Sequence, residues 1–114
     1  MAVVNIIVQN DADFYRTFVW QTIDGNPISM GGMALEMMLR RHAKDEAAVL
    51  RLATDTGEVV VTNAGAGQFT VRISQDALEH LGLGDFDQSM IATRNGYKVR
   101  VWSGLLTNNA GPTR

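Results

Sequence analysis

An antiparallel β-sandwich is the fold this sequence predicts, and three observations predict it. Short apolar runs closed by turn residues recur along the chain, at about the eight-to-twelve-residue spacing of sandwich strands. β-branched and aromatic residues dominate those runs, and several alternate with polar residues at period two. No linker, internal repeat or low-complexity stretch divides the 114 residues.

Val4, Ile6 and Val8 alternate with Asn5, Ile7 and Gln9, which makes a first strand. Asn10-Asp11-Ala12-Asp13 interrupts it. Phe14 to Ile23 reads as a second strand. Phe14, Phe18 and Trp20 share one parity and Tyr15, Val19 and Ile23 the other, and periodicity leaves the inward side open. Asp24-Gly25-Asn26-Pro27 is a turn, because Gly accepts positive φ and Pro has no N–H for a ladder. Met33 to Leu52 is ambiguous. Ala34, Leu35, Met37, Met38 and Leu39 favour a helix by propensity. As strands, Leu35, Met37 and Leu39 point one way, and Glu36 and Arg40 the other. Residues 41–46 then form a polar connection, with Leu50 and Leu52 inward on the next strand. The strand spacing around this stretch favours sheet, so strands are expected here.

Thr54-Asp55-Thr56-Gly57 is a turn, Val59 to Thr62 a strand, and Gly65-Ala66-Gly67 a further turn. Gln68 to Ser74 alternates, with Phe69, Val71 and Ile73 inward and Gln68, Thr70 and Arg72 outward. Ser74 is placed to N-cap one short helical stretch, Gln75 to Leu81, which Gly82 ends. Phe86 to Thr93 and Tyr97 to Thr107 are strands joined by the hairpin signal Asn95-Gly96. Residues 108–114 read as a flexible tail, leaving 1–107 as one domain. Seven or eight strands with one short helical turn give an all-β sandwich of immunoglobulin-like outline.

Composition narrows the function classes. Hydrophobic residues are 46% of the chain and charged residues 19%, enough apolar surface for one core. Ten Lys and Arg against twelve Asp and Glu give a net charge of −2, which argues against a polybasic nucleic-acid binder. The absence of cysteine excludes disulfides, thiolate metal sites and cysteine nucleophiles. No apolar run approaches the length of a membrane span, and the first residues lack the pattern of a secretory signal, so a chain made and kept in a cytoplasm is expected.

Few constellations point to chemistry. Asp76, Glu79 and His80 share the helical turn at metal-ligand spacing, and also suit a plain polar turn. Asp11 with Asp13 and Asp85 with Asp87 offer carboxylates for calcium, yet Asp is also the common residue of turns and caps. Gly65-Ala66-Gly67 lacks the helix and lysine of a phosphate loop. Ser29, Ser74, Ser89 and Ser103 lack a nucleophile-elbow context, and His42 sits in a charged turn. No catalytic residue, metal or cofactor is expected. On the last strand Val99 and Val101 share one parity and Lys98, Arg100 and Trp102 the other. With the valines inward, Trp102 stands on the outer face among cations, as an interface anchor with Tyr97, Lys98 and Arg100 around it. The competing reading is a Trp102 packed over the sandwich edge, or a parity switch at a bulge near Gly104.

The order of signals carries a resemblance. Asp24-Gly25-Asn26-Pro27-Ile28-Ser29-Met30-Gly31-Gly32 is followed by Met37-Met38-Leu39-Arg40, then by Gly67-Gln68-Phe69-Thr70-Val71-Arg72-Ile73, Gly84-Asp85-Phe86, Asn95-Gly96 and Val101-Trp102-Ser103-Gly104. Over residues 13–107 this resembles the small β-sandwich domains of tailed-phage virions. The N-terminal domain of baseplate upper proteins and related tail or fibre-attachment proteins are the nearest pattern. Met30 stands where that group has Leu, and Phe86 where it has Tyr. The resemblance implies a non-enzymatic structural protein of a virion, made in the host cytoplasm. It implies association with tail, baseplate or fibre subunits and with copies of itself, and no nucleic acid or membrane partner. The group's attached helical and receptor-binding parts have no counterpart in these residues, which implies a stand-alone adaptor. The alternative is a carbohydrate-binding or adhesin-like module stacking sugars on Tyr15, Trp20, Tyr97 and Trp102, although the eight aromatics must also fill a core.

Overall fold

A computed structural model describes residues 2–22 and 24–113. The larger sheet contains β1 (Ala2–Val3), β2 (Ile6–Gln9), β4 (Ala34–Arg40), β5 (Leu50–Ala53), β8 (Gly84–Arg94) and β9 (Tyr97–Asn109). Its order is β1-β9-β8-β4-β5, and β2 follows β1 along the same edge of β9. The smaller sheet is β3 (Phe14–Val19), β7 (Gln68–Ile73) and β6 (Val59–Asn63), in the order β3-β7-β6. Buried residues of both sheets form one apolar cluster. The expected purely antiparallel arrangement is corrected to a mixed one, because β1 and β2 run parallel to β9. The cause is a short crossing. Only Asn10–Asp13 connect β2 to β3 in the opposite sheet, so β2 must end at the pole where β9 ends, with Gln9 opposite Asn109.

Met33 to Leu52 is strand, connection and strand, as the spacing predicts. Leu35, Met37 and Leu39 are at most 1% exposed and alternate with half-buried residues. β4 is hydrogen-bonded to β8 on one side and β5 on the other, so tertiary pairing overrides helix propensity. The second strand stops at Val19. Phe14, Phe18 and Trp20 pack on the core while Tyr15 and Val19 are exposed, and Ile23 lies outside the described residues. Thr70, expected outward, is buried: it lies between Thr17 and Val60 of the flanking strands, its hydroxyl 3.0 Å from that of Thr17.

The helix α1 (Gln75–Leu81) has the expected caps, with Ser74 Oγ accepting from the Ala77 N–H at 3.1 Å and Gly82 at φ 86°. The turn before β7 is a 3₁₀ turn, Ala64–Ala66, closed by Gly67 in the left-handed region. A Cβ on Gly67 would also lie 2.5 Å from the Trp20 carbonyl oxygen. β9 runs on to Asn109, so the flexible tail expected from residue 108 is corrected at its start. Asn108 is buried and donates to the carbonyls of Leu78 and Gly82 at 2.8 and 2.9 Å, satisfying the end of α1. The Gly111 N–H donates to Asn10 Oδ1 at 2.9 Å. Met1 and Arg114, the outer limits of the expected domain and tail, lie outside the described residues.

The β8–β9 hairpin turns at Asn95 and Gly96, both at positive φ as a type I′ turn requires. Its register passes from Met90 opposite Trp102 to Ile91 opposite Arg100, leaving Val101 as an extra residue. This bulge reverses the parity of β9, so Trp102, Leu106 and Asn108 all turn inward. Two residues further on, Gly104 admits the first strand. A Cβ there would lie 2.1 Å from the Val4 carbonyl oxygen. We expect Gly104→Ala to lower stability by about 1–3 kcal/mol, the cost of forced overpacking, read as a lower urea midpoint at unchanged slope. Gly65→Ala, whose Cβ would meet nothing closer than 3.9 Å, should leave the midpoint within error.

Candidate functional site

The outer face of the larger sheet is built by the positions that alternate with its core. Asp87, Ser89 and Ile91 alternate with buried Phe86, Gln88 and Met90, and Met38 and Arg40 with Met37 and Leu39. Together with Ser103, Leu105 and Val3 these strands floor a shallow groove of about 520 Å³. The connection 41–49 forms one wall. Arg40 Nε donates to the Asp45 carbonyl at 2.9 Å, and Asp87 Oδ2 accepts from the Ala43 N–H at 2.7 Å. Arg100 reaches the same groove from β9. The groove therefore offers cationic, anionic, hydroxyl and apolar surface on a sheet floor.

Beside it the edge of β9 is covered unevenly. β1 pairs from Trp102 and β2 from Leu106. Tyr97 to Arg100 pair with β8 on one side, and β1 begins its pairing with β9 only at Trp102. Lys98 and Arg100 face outward here, opposite Thr93 and Ile91, while Tyr97 and Val99 take the other parity. Tyr97 and Val99 are nevertheless 78% and 48% exposed. The tip is held by Arg94, whose Nη2 donates to the carbonyls of Ser29 and Gly31 at 3.2 and 2.7 Å.

The structure brings Tyr97, Lys98 and Arg100 together on this exposed segment and removes Trp102 from it. The expectation of an outward Trp102 is corrected: it is 3% exposed, and the bulge that turns it inward lies at Val101 rather than near Gly104. Its ring centroid is 4.8 Å from Phe18 and 5.6 Å from Phe69, so it joins the two sheets. Its Nε1–H donates to Gln88 Oε1 at 2.7 Å, and Gln88 Nε2 donates to the Val4 carbonyl at 2.7 Å. The sequence reading missed Gln88. Its signal was a polar residue at an inward position of an apolar stripe, which requires a buried hydrogen-bond partner. It also missed Arg41, whose guanidinium lies 4.1 Å above the Phe86 ring.

The candidate metal groups are spread out. Asp13 accepts from the Gln75 N–H, Asp11 from the Thr113 N–H, Asp85 from the Thr107 hydroxyl and Asp87 from the Ala43 N–H, each carboxylate serving a different contact. Among the described residues no three His, Asp or Glu side chains form a ligand cluster. On α1, His80 Nδ1 lies 2.8 Å from the Asp76 carbonyl and 3.6 Å from its carboxylate. That hydrogen bond, then the Asp76 and Glu79 charges, raise the imidazole above its ordinary value, against a small desolvation effect. Among the described residues no helix is long and apolar enough to cross a membrane.

No family model and no curated protein matches the chain. Among solved structures it is similar to the N-terminal domain of phage TP901-1 ORF48, at 14% identity and a TM-score of 0.51, covering 94% of this chain and 84% of that one. It is also similar to the Ig1 domain of mouse SynCAM 2, at 12% identity and a TM-score of 0.40, covering 95% and 93%. The first likeness is one of fold, over nearly the whole of both domains.

We expect Trp102→Ala to lose about 3–5 kcal/mol of stability, as buried aromatic truncations do, while Tyr97→Ala stays within about 0.5 kcal/mol of the parent. Urea denaturation followed by circular dichroism checks both. A raised folded pKa at His80 means that protonation favours the fold. Its contribution is complete below about pH 6.5 and fades as pH rises through the folded value. NMR titration should place the His80 midpoint above 6.5, and His80→Gln should remove that part of the pH dependence.

Proposed function

We propose that this chain is a structural protein of a tailed-phage virion, an adaptor among tail, baseplate or fibre subunits that works by protein–protein assembly and carries no catalytic activity. The observation that carries the reading is the domain-length fold match to the phage TP901-1 ORF48 N-terminal domain, at a TM-score of 0.51. The ordered motifs of residues 13–107, which resemble virion β-sandwich domains, support it independently of coordinates. The strand order β9-β8-β4-β5 against β3-β7-β6 fits an immunoglobulin-type sandwich, a scaffold that leaves faces and edges for partners. An assembly role also suits a site made of a groove and an exposed edge, since repetition in a symmetric particle multiplies weak contacts. Partners are other virion subunits and further copies of the chain, and the expected location is the particle.

The sugar-stacking alternative loses its platform. Trp102 is in the core, Trp20 packs against that core, Tyr15 is the second residue of β3, and Tyr97 begins β9 at the opposite pole. Mass spectrometry of particles purified from the source culture should find the chain at a fixed ratio to tail proteins, and a glycan array should stay silent. Absence from purified particles, or saturable glycan binding, would overturn the proposal.

A further inference from the structure

We propose that β3 pairs edge to edge with β3 of a second copy of this chain, joining their three-stranded sheets into one continuous sheet. The inference rests on the assembly reading, which counts further copies among the partners, and it assigns the surface they use. Among the described residues β3 borders the smaller sheet, and no strand pairs with its outer edge. It is the longest bordering strand without a break: it pairs with β7 over six residues, Phe14 to Val19, whereas β5 has four and β6 shifts register between Val61 and Asn63. The phase of the ladder fixes which of its backbone groups point out. The Arg72 N–H donates to the Glu58 carbonyl just ahead of β6, so the odd-numbered residues of β7 bond β3, and the Trp20 N–H to Gly67 carbonyl bond has the same phase. The backbone groups of Phe14, Arg16 and Phe18 therefore face β7, and those of Tyr15, Thr17 and Val19 face the open edge. All three of these residues are exposed. Arg16 is exposed too, although its parity is inward, so the larger sheet leaves the middle of this edge uncovered.

Side chains and charge single out one register, and in it the strand is its own complement. Edge groups pair only when the outward-bonding residues of both strands lie opposite one another, so odd residues of β3 meet odd residues of its copy. With the two-fold at Thr17, Tyr15 lies opposite Val19 of the second copy, Thr17 opposite Thr17 and Val19 opposite Tyr15. Each of these pairs exchanges both its backbone hydrogen bonds. Aromatic–β-branched and Thr–Thr pairs are favourable across neighbouring strands. Arg16 falls opposite Phe18 of the second copy, and its guanidinium already lies 5.0 Å from the ring of its own Phe18. A two-fold at Arg16 would set two cations face to face. A two-fold at Phe18 would set Tyr15 opposite Gln21, beyond the end of β3. Arg16, the one charge on the strand, thus selects the register. A contact of this isologous kind closes at two copies. One strand pair is smaller than the ~1,200 Å² of a stable free dimer, so the association is weak in isolation and repetition in an assembly reinforces it.

The test is analytical ultracentrifugation of the full chain from about 10 µM to about 1 mM. A concentration-dependent dimer is expected, and at the high end the amides of Tyr15, Thr17 and Val19 should exchange with solvent more slowly. Thr17→Lys and Thr17→Glu each set like charges at the two-fold and should dimerise at least about tenfold more weakly than the parent. An equal mixture of the two should dimerise again, because Lys then lies opposite Glu. Circular dichroism verifies both folds. If either fails to fold, Y15K/V19K serves as the repelled form and Y15K/V19E as the matched one, both at exposed positions. A chain that stays monomeric throughout, a dimer indifferent to these charges, or growth beyond two copies overturns the inference. Charge-dependent dimers of a chain absent from particles defeat the virion reading alone. Presence in particles of a chain that stays monomeric defeats the β3 pairing alone.

Discussion

The sandwich depends on how β9 is turned at one residue. Val101 is the surplus residue of the β8–β9 ladder, and its bulge delivers the Trp102 indole into the space between the sheets. There it stacks on Phe69 of β7 and tilts against Phe18 of β3. A buried indole N–H needs an acceptor, and Gln88 on the neighbouring strand supplies it. The Gln88 amide in turn holds the Val4 carbonyl, at the gap where the first strand is interrupted between β1 and β2. One polar chain thus links the centre of the core to the outermost strand of the larger sheet. With no cysteine to join the sheets, the packing of Trp102 on Phe18 and Phe69 takes the place of a covalent tie.

What the sequence made legible was mainly periodic or local. The stripes through Leu35, Phe69 and Phe86 gave the core, and Ser74 with Gly82 gave the helix limits. The Asn95-Gly96 pair gave the long hairpin. The errors share a cause: they depend on partners distant in sequence. The bulge at Val101 follows from which residue of β8 lies opposite, so parity counted along β9 alone misplaced Trp102. The parallel first strand follows from the short crossing to β3. Asn108 looked like tail because its role, capping α1, exists only once the helix lies against β9.

The candidate site was half legible for the same reason. Lys98 and Arg100, read as outward by parity, lie exposed, and so does Tyr97, although it shares the parity of Val99. The groove beside them needs β1, β4, β8 and β9 together, and no linear pattern announces it. The paired aspartates show the reverse case. The carboxylates of those motifs tie separate parts of the fold together, and Asp13 and Asn10 both join the β2–β3 crossing to Gln75, the first residue of α1.

The parallel course of β1 and β2 beside β9 has a mechanical consequence. Tension applied to the two ends of the domain would draw these strands past one another lengthwise, straining all the bonds between them at once. An antiparallel terminal pair would instead peel, yielding one bond at a time. A module built this way resists being stretched from its ends in shear, with its terminal bonds sharing the load.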